Sequence, residues 1–233
     1  MNCQGSKLYF SLFTLLVLAF TISSCERQDV SYFPLSSSFT WYYKIDRKTA
    51  VDHYTLKEIV QNKGKQKELF LQQSFLGVTR HIKHDENGIF VDHVSLKDNS
   101  ARRYPNTSTI FRYPLNTDEN WKDFIVSQLM ISPDPGSHKI ISSIPVTARI
   151  MSISESVSVP AGTFHNCVLI ESSGQLFIAE GKYPYQPDLT ISILNRRWYA
   201  QNVGLIKEVQ KEDSDARMYP AGSFVKELEK YEK

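Results

Sequence analysis

The sequence has 233 residues and three thiols, which are its most reactive side chains, and Cys25 stands in a marked position. It ends an uncharged, mostly apolar run from Leu8 to Ser24, and the charged Glu26 follows it at once. A cysteine thiol is a nucleophile, so a cysteine at such a junction can be linked to a lipid and held at a membrane. Lys7 gives the run the single positive charge of an export signal. The run is at the short limit for crossing a bilayer, which favours a signal peptide over a permanent span.

The last four residues of this segment, Ile22-Ser23-Ser24-Cys25, resemble a bacterial lipobox. The resemblance implies that residues 1–24 are a lipoprotein signal peptide and that Cys25 is the lipidation site, linked to diacylglycerol and acylated at its new amino terminus. Two acyl chains already suffice for stable attachment, and this anchor carries three. Ordinary secretion and an uncleaved N-terminal helix are the alternatives. Glu26 is not the Asp that retains enteric lipoproteins, so we expect an outer-membrane protein that faces the periplasm.

Cys167 is the one cysteine that would be left for chemistry, because Cys3 leaves with the signal. No intramolecular disulfide can then form. Cys167 lies in the apolar, strand-like run from Asn166 to Ile170, which predicts a buried, inert thiol. His165 is two residues away, which leaves a reactive cysteine as the alternative.

Histidines and acids could in principle form a metal site around one predicted hairpin. The residues are His81, His84, Asp85, Glu86, Asp92 and His93. Residues three apart in a strand point to opposite faces, so we expect surface histidines and no metal or cofactor. The acids at 213 and 215 fall in a predicted turn. The sequence has neither a Gly-x-Ser-x-Gly elbow nor a phosphate-binding loop, so we expect no catalytic residues and no enzyme.

The net charge of the mature chain indicates whether nucleic acid could be a partner. Removing Lys7 with the signal leaves 26 cationic against 25 acidic residues, because the whole chain has 27 and 25. A net charge near zero gives no footprint for nucleic acid.

Hydrophobic periodicity of two runs through most of the chain and predicts strands. From Phe39 to Asp46 the odd positions are apolar or aromatic. From Met151 to Val159 four serines line one predicted face, and apolar residues line the other together with Glu155.

Three turn signals separate these runs. Asp85–Gly88 ends in Asn-Gly, which is typical of tight hairpins. Val159–Gly162 and Tyr219–Gly222 both contain Pro-Ala-Gly, with proline at the second position of a turn.

Helical spacing is scarce and is best from Asp118 to Met130. Phe224–Tyr231 is compatible with a short helix or a last strand, and 97–109 is predicted as a loop. We therefore expect a mainly β fold with at most one or two short helices: a single antiparallel curved sheet that forms an open or closed barrel. Residues 25–37 are predicted as a lipidated tether, and residues 38–233 as one domain.

Three separated motifs resemble a family of uncharacterised bacterial exported proteins, sometimes called TapB-like. They are Phe33-Pro34-Leu35 with Trp41-x-Tyr43; Val159-Pro160-Ala161-Gly162-Thr163-Phe164; and Trp198-Tyr199-Ala200-x-x-Val203-Gly204-Leu205-Ile206-Lys207. The resemblance implies an envelope location and a β fold like the open barrels of lipoprotein carriers, and it implies no catalytic residues. This chain has Ser38 and Asn202 where the family has glycine, and asparagine tolerates the left-handed conformation.

Two functions follow from these observations. Aromatic residues are abundant in the predicted strands, and inside a curved sheet they could line a groove for a hydrophobic ligand or a lipidated partner. The alternative is a structural or assembly role, in which a sheet edge or surface patch engages another envelope protein. The sequence names no ligand-binding residues.

Overall fold

The computed structural model describes ten segments of the chain. They are residues 31–34, 39–49, 53–62, 69–73, 78–96, 101–102, 108–127, 143–179, 188–215 and 221–233. Regular structure within them is β-strand throughout. The strands are β1 Thr40–Thr49, β2 His53–Asn62, β3 Leu69–Gln73, β4 Val78–Asp85, β5 Gly88–Leu96, β6 Ala101–Arg102, β7 Ser108–Arg112, β8 Asn120–Val126, β9 Ser143–Val159, β10 Gly162–Ile178, β11 Leu189–Ala200, β12 Gly204–Ser214 and β13 Gly222–Glu232.

The strands form one antiparallel sheet in the order β6-β5-β4-β3-β2-β1-β13-β12-β11-β10-β9-β8, with β7 paired to β5. Nearly every strand therefore pairs with its neighbour in sequence, and the first and last strands meet in the middle of the path. The predicted fold class, a single antiparallel curved sheet, is confirmed. Of the two predicted forms the described strands have the open one, since the ends of the order, β6 and β8, do not pair with each other.

Strands β7 and β8 approach each other through a side chain rather than a backbone ladder. Asp123 of β8 accepts hydrogen bonds from the Thr109 backbone nitrogen at 3.0 Å and the Ser108 hydroxyl at 2.8 Å. Asp123 is almost fully buried. A carboxylate that accepts two hydrogen bonds can offset the cost of its burial, so it can join the two ends of the curl.

The alternation predicted for β1 is confirmed, because its odd positions from Trp41 to Arg47 are buried. Trp41 Nε1 donates to the Val203 carbonyl at 2.6 Å, and the Tyr43 hydroxyl donates to the Leu205 carbonyl at 2.8 Å. The aromatic rings thus bury apolar surface while their polar atoms remain satisfied. They belong to the larger apolar cluster, whose other large members include Phe39, Phe111, Trp121 and Tyr199.

Part of the predicted tether belongs to this cluster. Tyr32, Phe33 and Pro34 are buried, and Tyr32 stacks on Phe111 with ring centroids 5.8 Å apart. Asn202 donates its backbone nitrogen to the Ser31 carbonyl at 2.7 Å. The boundary predicted at residue 37 stays a prediction, since residues 35–38 lie outside the described ones, but residues 31–34 pack with the domain.

Two of the predicted turns are confirmed as hairpins. Asp85 pairs with Gly88, and Asp85 Oδ1 accepts from the Asn87 and Gly88 nitrogens at 2.7 and 3.1 Å. Val159 pairs with Gly162 in the hairpin from β9 to β10. The third turn, at 219–222, falls partly outside the described residues. The loop predicted at 97–109 is also described only in part, and its described residues belong to the strands β6 and β7.

The helix predicted from Asp118 to Met130 is wrong, because its described part contains strand β8. Trp121 and Ile125, four residues apart, share a face in a strand as they would in a helix. The inward position between them is Asp123, a polar residue, so alternation was hidden in the sequence. The segment Phe224–Tyr231, for which helix and strand both remained open, lies within β13.

The long hairpin of β9 and β10 extends beyond its neighbours. The pairing of β8 with β9 ends at Arg149, and that of β11 with β10 begins at Val168. We call Met151–Asn166 the arm, since within it β9 and β10 pair only with each other among the described residues. Its tip is held by the Ala161 nitrogen, which donates to the Leu228 carbonyl at 2.9 Å.

The apolar face predicted for 151–159 is only partly buried. Val157 is buried, but Met151 is 41% and Ile153 is 47% exposed. Three register shifts between β9 and β10 change which residues face the core along the arm. No described residues form a helix long and apolar enough to traverse a bilayer.

Candidate binding site

A row of polar side chains crosses the buried face of the sheet. Gln210 of β12 pairs with Asn195 of β11, and Asn195 pairs with Ser172 of β10. All three are almost fully buried. Directly paired residues share a face of a sheet, so this face is not lined by apolar side chains alone.

The polar row continues as a chain of hydrogen bonds. Asn195 Nδ2 donates to Gln210 Oε1 at 3.0 Å and to Glu208 Oε1 at 2.8 Å. Gln210 Nε2 then donates to Glu212 Oε1 at 2.6 Å, and the Ser127 hydroxyl donates to the other oxygen of Glu212. These bonds restrict the arrangement of the side chains, although Asn195 Oδ1 is buried without a hydrogen-bond partner.

A buried ion pair lies between β13 and β2. Lys226 Nζ contacts Glu58 Oε2, and both side chains are at most 6% exposed. The same ammonium stands 4.4 Å from the centre of the Tyr43 ring. Burial first, and then the nearby Glu58 charge, raises the pKa of Tyr43 well above its ordinary value, so this phenol stays neutral.

A second charge pair reaches from β11 to β8 across the curled sheet. An Arg197 guanidinium nitrogen lies 3.7 Å from Asp123 Oδ2 and donates to the Ser172 hydroxyl at 3.4 Å. The Tyr199 pKa is also raised by burial, which the Arg197 charge opposes only in part. Arg197 and Asp123, like Lys226 and Glu58, thus bring opposite charges together, and these two contacts link strands that are not neighbours in the sheet.

The concave interior is thus occupied by the protein's own side chains where it is described. The larger apolar cluster fills one part, and the hydrogen-bonded network crosses beside it. An acyl chain placed along this network would strip charges of their partners, which is costly. The interior of the curve, where the sequence suggested a hydrophobic groove, is therefore poorly suited to that role.

An open depression of about 600 Å³ lies where β1, β11, β12 and β13 come together at one end of the sheet. Ligand sites in proteins typically have volumes of about 300–1,000 Å³. The depression is lined by Lys48, Thr49, Ser192, Ile193, Leu194, Lys211, Glu212, Asp213, Ala221, Gly222 and Ser223.

The strand register explains the composition of the depression. Lys48 pairs with Ser223, Ser223 with Lys211, and Lys211 with Leu194, so these four share one face. Ile193, the residue before Leu194, points to the opposite face and belongs to the second apolar cluster, which contains Ile144, Val146, Ile178, Leu189 and Ile191. The depression thus combines aliphatic surface with two exposed ammonium groups.

The predictions for the two thiols, Cys25 and Cys167, differ in outcome. Cys25 and the whole signal segment lie outside the described residues, so lipidation stays a prediction. Cys167 is fully buried, and burial raises its pKa to about 11, which confirms the buried thiol. His165 is exposed, and its Nδ1 lies 2.9 Å from the Ser156 hydroxyl in the neighbouring strand of the arm.

The histidine hairpin brings together a different pair from the one in the sequence motif. His81 stacks on His93 across β4 and β5, with ring centroids 3.7 Å apart, next to a register shift at His81. Asp92 binds Lys83 at 2.6 Å and His93 Nδ1 at 3.0 Å. No three potential metal ligands converge within the described segments.

The acidic pair at 213 and 215 is divided between two roles. Asp213 lines the depression, whereas Asp215 Oδ1 accepts a hydrogen bond from the Thr190 nitrogen at 2.8 Å. That backbone hydrogen bond lowers the pKa of Asp215.

Sequence reasoning missed both the polar network and the depression. The signal for the network was present as polar residues at inward positions, such as Gln210 and Glu212 in β12. The depression depends on the register of four strands from distant parts of the chain, which local periodicity does not determine.

Comparison with known proteins gives a family and two distant structures. A family model described as DUF3108-like matches residues 36–218. No curated protein matches the chain. The family match does not carry the TapB-like name, so the narrower resemblance stays a prediction.

Two solved structures resemble the chain at low similarity. One is a protein from Parabacteroides distasonis described as a candidate lipoprotein: it is 14% identical, covers 87% of this chain and 99% of its own, and has a TM-score of 0.39. The other is from Bacteroides fragilis and is described as a candidate exported protein with a YmcC-like fold: it is 15% identical, covers 88% of this chain and 100% of its own, and has a TM-score of 0.37. At such TM-scores neither structure informs the function of this chain.

Proposed function

The chain belongs to the DUF3108-like family, and we propose that it is a non-enzymatic, lipid-anchored protein of the bacterial cell envelope that binds a hydrophobic ligand or a lipidated partner. Support for the anchor comes from the sequence, where Cys25 follows an apolar run and two small residues. The proposed location is the outer membrane, with the domain facing the periplasm.

The observation that carries the binding role is the depression on the end of β1, β11, β12 and β13. Leu194 supplies aliphatic surface on the face that also carries Lys48 and Lys211, whereas the adjacent Ile193 is buried on the opposite face of β11. Each CH₂ group removed from water contributes about 0.8 kcal/mol, so a partly buried acyl chain can supply useful affinity. The two ammonium groups suit an anionic head group at the end of that chain. The site is therefore proposed on this open surface and not inside the curve.

Native mass spectrometry tests this role on the domain from residue 26 onward, because Ser31–Lys233 forms a compact unit by itself. We expect co-purified lipid after expression in bacteria, and saturable binding of a fluorescent 16-carbon fatty acid. The variant Leu194→Asp should weaken binding of that probe about tenfold, since a carboxylate would replace apolar wall and repel the probe's own charge.

Ile59→Asp is the matched control, because Ile59 is 38% exposed on β2 and does not line the depression. It should bind the probe like the parent chain. A domain free of lipid in repeated preparations, or equal losses in both variants, would contradict binding at the depression.

A structural or assembly role is the second candidate, and the arm favours it. Met151 and Ile153 are exposed there beside a strand edge that no described strand covers. Exposed apolar residues at an open edge are typical of surfaces that engage other proteins.

A further inference from the structure

The outer edge of β9 in the arm is open along the residues that the structure describes. The ladder with β8 stops at Arg149, while the ladder with β10 continues to Val159. Ser154, Ser156 and Ser158 are exposed on this stretch. A strand with one free edge is a template for a further strand.

One backbone donor on this stretch is bound within its own strand. The Ser154 nitrogen donates to the Ser152 hydroxyl of its own strand at 3.3 Å, and the register of β9 with β10 skips Ser154. A contact of this length is weak, so an incoming carbonyl can replace it.

The other free parts of the arm are covered by the chain itself. The Tyr32 hydroxyl donates to the Asn166 carbonyl at 3.2 Å on the β10 side, and the Ala161 nitrogen is bound to Leu228 at the tip. Among the described residues, these contacts lie on the β10 side and at the tip of the arm, and no strand pairs with the β9 edge beyond Arg149.

The composition of this edge lacks the usual protection against pairing. Soluble proteins place lysine, proline or several charges on free edges. Residues 151–159 read Met-Ser-Ile-Ser-Glu-Ser-Val-Ser-Val, with no proline and the single charge of Glu155. Glu155 has no ion pair among the described contacts, and it is only half-buried.

We propose that the β9 edge of the arm, Met151–Ser158, binds an extended segment of another envelope protein as an added antiparallel strand. The segment carries alternating apolar and hydroxyl side chains and a lysine or arginine opposite Glu155. Backbone hydrogen bonds supply affinity in this mode, and cross-strand side-chain pairs supply selectivity. This inference rests on the assembly role, the second of the two candidate functions.

The single charge argues against a second copy of this chain as the occupant. Two arms paired antiparallel with full overlap would place Glu155 opposite Glu155 of the copy, because it stands at the middle of 151–159. Like charges directly opposite each other destabilise a sheet, whereas an opposite charge stabilises it.

Two synthetic peptides test the proposal on the full mature chain held in detergent. Both are capped nine-residue peptides of alternating threonine and valine, one with a central lysine and one with a central glutamate. We expect the lysine peptide to bind about fivefold or more tightly and to shift the backbone amide signals of 151–158. Equal affinities, or shifts confined to other strands, would overturn the assignment.

Ser154→Pro is the decisive variant, because it removes a backbone donor at a position that the register of β9 with β10 skips, so the paired neighbours keep their own donors. It should abolish binding of the lysine peptide while the thermal transition persists. Ser154→Ala keeps the donor and should bind as the parent does. If Ser154→Pro unfolds the arm, Glu155→Lys provides the test instead, since it should reverse the preference between the two peptides.

A photo-crosslinking residue at Ile153 in living cells tests strand addition separately from the assembly role. Crosslinks to another envelope protein, lost on Ser154→Pro, support the proposal. Crosslinks that persist in Ser154→Pro would keep the assembly role and overturn strand addition. Crosslinks to a second copy would overturn the choice of occupant, and the absence of any crosslink would overturn the assembly role itself.

Discussion

At the scale of single residues, two pairs of opposite charges join different strands in the interior. Lys226 meets Glu58 and Arg197 meets Asp123, and each of these four side chains is largely buried. A buried pair contributes little net stability compared with apolar residues of the same size, but losing one partner is costly.

The pair of Lys226 and Glu58 provides a direct test. Lys226→Met should lower the free energy of unfolding by about 3–5 kcal/mol, because it leaves the Glu58 charge buried without its ammonium. The double variant Lys226→Met with Glu58→Leu should regain most of that loss. Urea denaturation of the parent, both single variants and the double variant measures the difference. A double variant no more stable than Lys226→Met would contradict this account of the pair.

Some residue-level features could be predicted from the sequence, and others could not. Cys167 follows from its apolar neighbours. Asn202, predicted to tolerate a left-handed backbone, has φ of 58°. The partners of Lys226 could not be predicted, because Glu58 is brought to it by pairings of β1 with both β2 and β13.

At the scale of elements, close approach of strand backbones explains a glycine that no turn requires. Gly174 lies within β10, paired with Val146 of β9 and Ile193 of β11. A Cβ atom there would lie 2.0 Å from the Pro145 carbonyl oxygen, a backbone atom that cannot rotate aside.

Gly174→Ala should therefore destabilise the domain by about 1–3 kcal/mol, as overpacking does. In a domain of this size, 1 kcal/mol corresponds to roughly 2–4 °C in Tm, and a thermal scan will show the shift. Ser173→Ala, at the exposed neighbouring position, should leave Tm almost unchanged. Equal Tm values for the two variants would mean that β9 can move away from β10 without cost.

Elements marked by period two and by turn chemistry were predicted correctly, as β1 and the two confirmed hairpins show. Strand β8 was mistaken for a helix because Asp123 occupies an inward position that an apolar residue would normally fill. Its carboxylate accepts a hydrogen bond from the Thr109 nitrogen of β7, and no local pattern in 118–130 reveals that contact. The prediction was thus wrong for the strand whose inward side chain binds a strand that does not pair with it.

At the scale of the whole molecule, the sequence predicts the curved antiparallel sheet but not its contents. Regular turns and alternating runs dictate such a sheet. Which side chains fill it, and where a depression remains, depends on how far the sheet curls.

The anchor is tested on the whole chain. Cys25→Ser should move the protein from the membrane to the soluble fraction, because it removes the thioether and with it all three acyl chains. Labelling with a fatty acid should mark the parent and not the variant. Unchanged sedimentation of Cys25→Ser with membranes, or a parent chain that takes up no label, would contradict lipidation at this residue.

The buried Tyr32 and Phe33 have a consequence for how the domain can work. The Ser31 carbonyl accepts the Asn202 nitrogen and Tyr32 is buried, so at most six peptide units separate Cys25 from the packed part of the domain. Six units reach at most about 20 Å even when fully stretched. With lipids on Cys25, Ser31 would stay within that distance of the bilayer surface, and the domain could not reach a partner far from the membrane. A ligand or a partner protein would therefore have to come to the membrane to be bound.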